Sequence, residues 1–379
     1  MNFDFTEEQG MLRDSVARFV QDHYDFHTRN QLVASEAGFS HQNWQTFAEL
    51  GWLSIPFAEI HGGFGGSVVD TMLIMEQLGQ GLVAEPYMAS VLLFGGLVEA
   101  LGSAAHQSAL LPPLIAGELQ GAFAFLERDS RFNLDSVNTT ARLEDGSFII
   151  NGEKTMVFNG AAADHFVVSV RTSGTAGDLE GISLLLVDAN SKGLEKTRYR
   201  VMDGQLVVNL GFSDVKVSSD AVLGLPGAAY PAMVAVTNRC TLALCAEAIG
   251  IMGKLNAITV DYTRNREQFG VPIGSFQALQ HRMVDTFMAY EQVKSLLYRA
   301  VCAELEGSAD NLRSLHALKV LVERSAQHIG AESIQLHGGM GLTEEMPVGH
   351  YVQRLMMINT MFGDGDYHQQ QFTALAYAG

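Results

Sequence analysis

Cysteine is scarce in this sequence, and its placement excludes the common structural uses of the residue. The 379 residues include only three cysteines, Cys240, Cys245 and Cys302. They show no metal-ligand spacing, and their odd count and helical settings do not suggest a disulfide framework. We therefore predict reduced, buried thiols in a cytoplasmic protein and no metal site.

Basic residues are also few. Lys and Arg number 24 against 42 Asp and Glu, which gives a formal net charge of −18. An acidic surface of this kind argues against nucleic acid and anionic membranes as partners, although it permits a local basic pocket for an anionic ligand. The N-terminus lacks the basic start and apolar run of a signal peptide, and no apolar segment reaches transmembrane length without polar interruption. The expectation is a soluble, intracellular protein.

Hydrophobic residues make up 47% of the chain, enough for a large core in two or three domains. The apolar period is helical at first, with Thr6 and Gln9 forming a capping box, then strand-like, then helical again to the end. The sequence predicts an α+β fold, mainly α. Its parts are an N-terminal α-helical domain (1–120), a small, barrel-like middle β-domain (121–228) and a C-terminal four-helix bundle (229–379).

Two local glycine signals sit outside the helices. Asp145-Gly146 and Asn151-Gly152 flank an apolar tetrapeptide and predict a β-hairpin with turns at both dipeptides. The glycine-rich run 61–66 is not followed by Lys-Ser or Lys-Thr, so an interhelical turn is favoured over a phosphate loop.

The C-terminal third carries residues suited to a dinucleotide. Arg266 is followed by Phe269 and Gly270, then by Gln277. A second cluster begins at Gln335 and includes a run of glycines. A guanidinium, two side-chain amides and tight glycine turns are the groups that bind a pyrophosphate and an adenosine.

These motifs, in this order, resemble the acyl-CoA dehydrogenase family of flavoproteins. Further matching stretches lie at 51–79, 110–119 and 150–154, so the resemblance covers nearly the whole chain. It implies FAD as cofactor and the α,β-dehydrogenation of an acyl-CoA thioester. In that reaction a carboxylate removes the α proton and a hydride passes to flavin N5. An electron-transfer flavoprotein is the redox partner that the resemblance implies.

The resemblance also implies an oligomer. In the family, the arginine and glutamine matched by Arg266 and Gln335 come from a neighbouring subunit and hold the diphosphate and adenosine side of FAD. The same cofactor set includes the matching residues Phe269, Gln277, Gly338 and Gly339. We expect a dimer or tetramer of this chain, or a mixed oligomer with a homologous sister subunit.

The middle domain departs from the family pattern. Leu126 stands in the segment that usually reads Thr-Glu-Pro or Ser-Glu-Pro, and Met156 and Phe158 stand where Trp-x-Thr usually contacts the flavin. These three side chains could pack on the isoalloxazine ring, or they could fill the space that the ring would occupy.

The catalytic base departs more sharply. The usual Tyr-Glu-Gly-Thr is replaced here by residues 361–366, so that Phe362 or Gly363 takes the place of the base. The alternative position of some members falls near Cys240. Neither place holds a proton acceptor. The candidate catalytic residues are Asp364, which adjoins the family site and is the first choice, and Glu247, two helical turns beyond Cys240.

Two hypotheses follow for the function. The chain is an active FAD-dependent acyl-CoA dehydrogenase with a displaced base, or it is a non-catalytic partner subunit that completes the FAD site of a sister chain. A third reading is a flavin relative whose chemistry takes no α proton, although no residue selects it.

Overall fold

The computed structural model describes residues 5–377, and these form two compact units. Of the described residues, the first unit combines 5–31, 68–83 and 241–377, and the second combines 32–67 and 84–240. Residues 1–4, the start of the predicted N-terminal domain, lie outside the described part, as do 378 and 379. The predicted α+β fold, mainly α, with helices on both sides of a small sheet domain, is confirmed. The three domain boundaries stay a prediction.

Helices build the first unit. The helices that lie wholly within it are α1 (Glu7–His23), α4 (Val68–Gly81), α8 (Gln277–Leu305), α9 (Asn311–His337), α10 (Pro347–Thr360) and α11 (Gly365–Tyr377). Two more, α2 (Phe26–Ala34) and α7 (Tyr230–Asn265), have residues in both units. The predicted capping box of Thr6 and Gln9 is present at the start of α1 and satisfies two backbone donors there.

Glycines allow α4 and α7 to cross backbone against backbone. A Cβ on Gly79 would overlap the carbonyl of Glu247, and a Cβ on Gly250 would overlap the carbonyl of Glu76. Any side chain at either glycine would therefore force the helices apart. This crossing fixes where Glu76 and Glu247 lie within the first unit.

The second unit is built around a sheet of eight strands. Its helices are α3 (His41–Glu49), a π-helix (Tyr87–Gly95), α5 (Gly96–Leu101) and α6 (Ala104–Ile115). Its strands are β1 (Gly121–Ala124), β2 (Thr140–Glu144), β3 (Ser147–Phe158), β4 (His165–Arg171), β5 (Ile182–Asp188), β6 (Leu194–Arg200), β7 (Leu206–Ser218) and β8 (Val222–Leu223). The strand order is β6-β7-β3-β2-β4-β5-β8, with β1 parallel to β4. Side chains of this sheet form a buried core that includes Phe166, Leu185 and Val208.

One of the two predicted hairpin turns is correct. Asp145 and Gly146 have positive φ and join β2 to β3, with Glu144 opposite Ser147. The turn predicted at Asn151-Gly152 is wrong, because β3 continues through it and only shifts register against β7. Gly152 has a φ of +140° there, and a Cβ would lie 2.7 Å from Thr139 Cα. Asn-Gly therefore marks a β-bulge.

Strand β6 has no signal in the sequence pattern. Every one of its residues after Leu194 is exposed, so it has no apolar alternation to reveal it. It pairs with β7 along its whole length and forms an edge of the sheet.

The helix α7 is long and apolar enough to cross a membrane by length and composition alone, although Arg239, Glu247 and Lys254 interrupt its apolar residues. Of its most apolar window, 67% is buried inside the protein, as in the core helix of a globular protein. Its apolar character is therefore accounted for by packing.

Candidate functional site

A short hairpin follows α7 and presents Phe269 to solvent. Its strands are β9 (Glu267–Gln268) and β10 (Val271–Pro272), joined through Phe269 and Gly270. Both turn residues have positive φ, +57° and +80°, as a two-residue type I′ turn requires. A bulky residue in that conformation is uncommon, and Phe269 is also 92% exposed. Local folding energetics do not account for this side chain.

A contact between Tyr262 and His337 brings the two predicted cofactor motifs to one place. The Tyr262 hydroxyl donates to the His337 carbonyl at 3.3 Å, and the two rings stack with centroids 4.3 Å apart. Tyr262 lies one turn before Arg266, and His337 lies directly after the segment that carries Gln335. The C-terminal ends of α7 and α9 are thereby joined within the first unit.

We call residues 266–277 together with 335–339 the bundle end. Arg266 is exposed there, and no hydrogen-bond or ion-pair partner for its guanidinium occurs among residues 5–377. Gln277, the first residue of α8, is exposed too, as are Gln335, Gly338 and Gly339. Nothing lies within 4 Å of a Cβ placed on either glycine. The bundle end thus directs donors outward.

The chemistry of this donor set fits FAD. A guanidinium supplies up to five N–H donors in a planar fork, the arrangement that a diphosphate accepts. The amides of Gln277 and Gln335 can both donate and accept, as the polar edges of an adenosine require. The exposed Phe269 ring offers an apolar face beside them.

The three sheet residues lie in the second unit and are tied together by the backbone. Thr155 N–H donates to the Leu126 carbonyl at 2.8 Å. Met156 has a φ of +50° at a register shift of β3, and its N–H donates to Asn209 Oδ1 at 3.0 Å. Leu126 and Met156 are half-buried, whereas Phe158 is only 7% exposed.

A buried ion pair, which no local sequence pattern indicates, holds these segments in register. Lys154 Nζ, fully buried, donates to Glu127 Oε1 at 2.7 Å and to Ser169 Oγ at 2.9 Å. Burial lowers the pKa of Lys154 to about 8. Burial alone would raise the pKa of Glu127, but the neighbouring Lys154 outweighs it and the pKa lies below its usual range. Glu127 directly follows Leu126, so the pair anchors the segment after β1, which carries Leu126, to β3, which carries Met156.

The segment 361–364 lies between α10 and α11, and its backbone is held from two sides. Phe362 and Gly363 have φ values of +57° and +115°. Lys319 Nζ donates to the Gly363 carbonyl at 2.9 Å and to the Ile358 carbonyl at 2.8 Å. His368 Nε2 lies 3.1 Å from the Phe362 carbonyl. Burial lowers the pKa of Lys319 to about 8.

No side chain can be added at Gly363 without rearrangement. A Cβ there would overlap Tyr367 Cδ1 and lie 2.7 Å from His368 Nε2. The positive φ adds strain for any other residue. The surroundings of Gly363 are therefore packed so that only glycine fits at this position.

Two buried histidines lie behind this segment. His316 Nδ1 and His368 Nδ1 are 2.8 Å apart, so one ring donates and the other accepts. Burial lowers the pKa of His316 to about 4 and that of His368 to about 3, so both rings are neutral near pH 7. Sequence reasoning missed the pair because its members lie 52 residues apart.

The candidate bases have other partners. Asp364 Oδ1 accepts from Tyr367 N–H at 2.8 Å, which caps α11. Glu247 accepts two hydrogen bonds from Arg354, at 2.6 and 2.9 Å, with both side chains buried. At the alternative position, burial raises the pKa of the Cys240 thiol well above its usual range. Of the four carboxylate oxygens of Asp364 and Glu247, Asp364 Oδ2 alone has no hydrogen-bond partner among residues 5–377.

Comparison with known protein families finds three matching models in chain order. They are the acyl-CoA dehydrogenase N-terminal domain over residues 6–118, the middle domain over 122–215 and the C-terminal domain over 231–374. Together they span most of the chain.

Individual relatives and solved structures also match the chain over nearly its whole length. The short-chain-specific acyl-CoA dehydrogenase of Clostridium acetobutylicum is 28% identical over 362 residues, 92% of each chain. Among solved structures, the "Tcur3481-Tcur3483 steroid ACAD G363A variant" matches with a TM-score of 0.87 at 25% identity, covering 98% of each chain. A structure named "Electron transferring flavoprotein of Acidaminococcus fermentans" matches over the full length of both chains, with a TM-score of 0.92 at 25% identity.

Proposed function

Because this chain belongs to the acyl-CoA dehydrogenase family of FAD-dependent oxidoreductases, which act on CH–CH bonds, we propose that it is a partner subunit. It lends its bundle end to complete the FAD site of a sister chain, and the sister chain supplies the base. One observation carries the proposal. Neither Phe362 nor Gly363 carries a carboxylate, and the packing around Gly363 leaves no room for a side chain at that position.

The bundle end supports the same role. In this proposal Arg266 binds the diphosphate, while Gln277 and Gln335 bind the adenosine side with Gly338 and Gly339 against it. Phe269 packs on the same nucleotide. When bound, FAD supplies the hydride acceptor for the oxidation of an acyl-CoA. All six residues are exposed in the single chain, as groups that serve a neighbour must be.

The sheet residues contribute to positioning in the same proposal. In one case Leu126, Met156 and Phe158 pack against the ring of a flavin bound to this chain. In the other case their side chains fill the space that this ring would occupy. The ratio of bound flavin to chain distinguishes these two cases, since a filled position leaves only the sites shared with a sister chain.

The remaining assignments rest on relatives. The substrate is an acyl-CoA, as the name of the Clostridium acetobutylicum relative indicates. An electron-transfer flavoprotein is the redox partner, in line with the Acidaminococcus fermentans structure that bears this name. The name of the steroid relative joins two proteins, which favours a mixed oligomer over a dimer or tetramer of one chain. The compartment is the cytoplasm.

The test compares the chain alone with the chain co-purified with a homologue that carries Tyr-Glu-Gly-Thr. The chain alone should oxidise acyl-CoA at the background rate, and the mixture should show both bound flavin and turnover. Arg266→Ala should lower flavin occupancy of the mixture, whereas Arg264→Ala, an exposed arginine at the end of α7, should not. Turnover by the isolated chain would contradict the proposal.

A second candidate function is autonomous dehydrogenation with Asp364 as base. It is favoured by the carboxylate's position beside the family site and by its free Oδ2. In that case Asp364→Asn, which keeps the helix cap, should abolish turnover of the isolated chain and leave its flavin bound. Glu247 is the weaker choice of base, because Arg354 occupies both of its oxygens. Glu247→Gln serves as the comparison variant.

A further inference from the structure

The first unit contains a cavity that the proposed function does not use. Its volume is about 320 Å³ and it lies between α4, α7 and α8. Glu76, Gln80, Asn256 and Tyr290 contribute polar groups, and Gly253 gives it room, since a Cβ there would lie 3.2 Å from the Tyr290 ring. One water occupies about 30 Å³ in the liquid, so this cavity admits an organic group as well as water.

A buried carboxylate lines this cavity. Glu76 is only 9% exposed, and among residues 5–377 it has no hydrogen bond and no ion pair within 4 Å. The tight crossing at Gly250 holds its backbone in place. Isolated buried carboxylates are costly, and buried charges in folded proteins are normally paired.

The second unsatisfied group is an amide oxygen. Asn256 Nδ2 donates to the Thr286 carbonyl at 3.3 Å, which fixes the amide and leaves Oδ1 for the opposite side. Oδ1 is buried and has no partner among the described residues. With Glu76 it makes two acceptors in one cavity, and neither has a donor within 5–377.

The chain's own cations do not pair with the Glu76 carboxylate in this cavity. Burial raises the pKa of Glu76, and the charges of Lys294 and Arg13 oppose this rise, but neither cation forms an ion pair with Glu76 within 4 Å. The Lys294 ammonium lies over the rings of Tyr290 and Tyr298, 5.6 and 6.0 Å from their centroids. A single carboxylate beside an amide oxygen and a phenol is too weak a ligand set for a divalent metal.

From these contacts we propose that the cavity binds an organic cation with several N–H donors, an ammonium or guanidinium group. The cation pairs with Glu76 and donates to Asn256 Oδ1, and Tyr290 also lines the site. The group is either part of a free alkylamine or the end of a Lys or Arg side chain of a neighbouring copy. The apolar residue at the rim, Phe287, is 55% exposed and suits the alkyl stem of both.

The test uses n-butylammonium as the probe and n-butanol as its neutral counterpart. Calorimetry and sedimentation are run on the full-length protein, on Glu76→Gln and on Asp285→Asn. Asp285 is an exposed residue of α8 outside the cavity lining, and its variant changes the net charge equally. The Gln side chain keeps the shape of Glu76, and circular dichroism checks that each variant is folded.

Two outcomes support the proposal and identify the source of the cation. If the probe binds the wild type and Asp285→Asn, and affinity falls about tenfold or more in Glu76→Gln, the site takes a free amine. If Glu76→Gln alone sediments at lower mass and the probe dissociates the wild-type oligomer, the cation is a neighbour's side chain. Equal probe binding and equal mass for wild type and Glu76→Gln would overturn the proposal, as would n-butanol binding as tightly as n-butylammonium.

Discussion

At the scale of the residue, the first unit contains a buried ion pair whose two members depend on each other. Glu247 and Arg354 lie 107 positions apart, and their carboxylate and guanidinium form two hydrogen bonds with both side chains buried. A bidentate pair of this kind stabilises the fold only while both members are present, because either charge alone is buried without compensation.

Removing one member of this pair should destabilise the protein strongly. We expect Arg354→Met to lower the free energy of unfolding by about 3–5 kcal/mol, measured by urea denaturation, since Glu247 is then left buried and unpaired. The double variant Glu247→Gln, Arg354→Met should recover most of the loss. A double variant as unstable as the single one would show that packing of the arginine stem, and not its charge, is what matters.

Gly363 offers a second prediction at this scale. Gly363→Ala should destabilise the chain by about 1–3 kcal/mol, because alanine is strained at a φ of +115° and its Cβ would overlap Tyr367. Gly10→Ala is the matched control in α1, where a Cβ meets nothing within 4 Å and should stabilise the helix slightly. Thermal unfolding of both variants decides the matter, and equal shifts would contradict the steric argument.

At the scale of the element, the segment between α10 and α11 was predictable only in part. The sequence alone indicated that no glutamate stands there. The clamp by Lys319 and His368 could not be inferred, because the residues that form it come from α9 and α11 and meet only after the helices pack. The same limit hid the pair of Lys154 and Glu127, a long-range contact that joins β3 to the segment after β1.

The histidine pair behind this segment predicts a pH dependence of stability. The folded-state pKa values of His316 and His368, about 4 and about 3, lie below the unfolded value of 6.5. Below pH 6.5 the unfolded chain therefore binds more protons, so stability falls as pH drops towards 4. The slope is at most about 1.4 kcal/mol per pH unit for each histidine.

Urea denaturation between pH 7 and pH 4.5 measures this slope. The double variant His316→Asn, His368→Leu should be less stable at pH 7 but show a shallower loss on acidification. His328→Gln, an exposed histidine of the same α9, should keep the wild-type slope. An unchanged slope in the double variant would assign the acid sensitivity to other groups.

At the scale of the whole molecule, charge governs assembly. Every copy carries a formal charge of −18, so identical chains repel one another. We expect sedimentation velocity to show less self-association at roughly 0.02 M salt than at roughly 0.3 M. The Debye length is about three times longer or more at the lower salt concentration, so the repulsion between chains is screened less there. The variant Arg266→Ala, which has one cation fewer, should likewise self-associate less at the lower salt concentration. Self-association that weakens with salt would point instead to ion pairs across the interface.

The sequence by itself determined the fold class, the order of the helical and strand-rich regions, and the absence of a glutamate from residues 361–366. These are local properties, read from apolar period, turn residues and short motifs. Tertiary structure alone decided what long-range contacts create. It joined Arg266 to Gln335 through Tyr262 and His337, turned Asn151-Gly152 into a bulge, and left Glu76 buried without a partner among residues 5–377. Such outcomes depend on which distant side chains meet in the core, and a one-dimensional pattern does not carry that information.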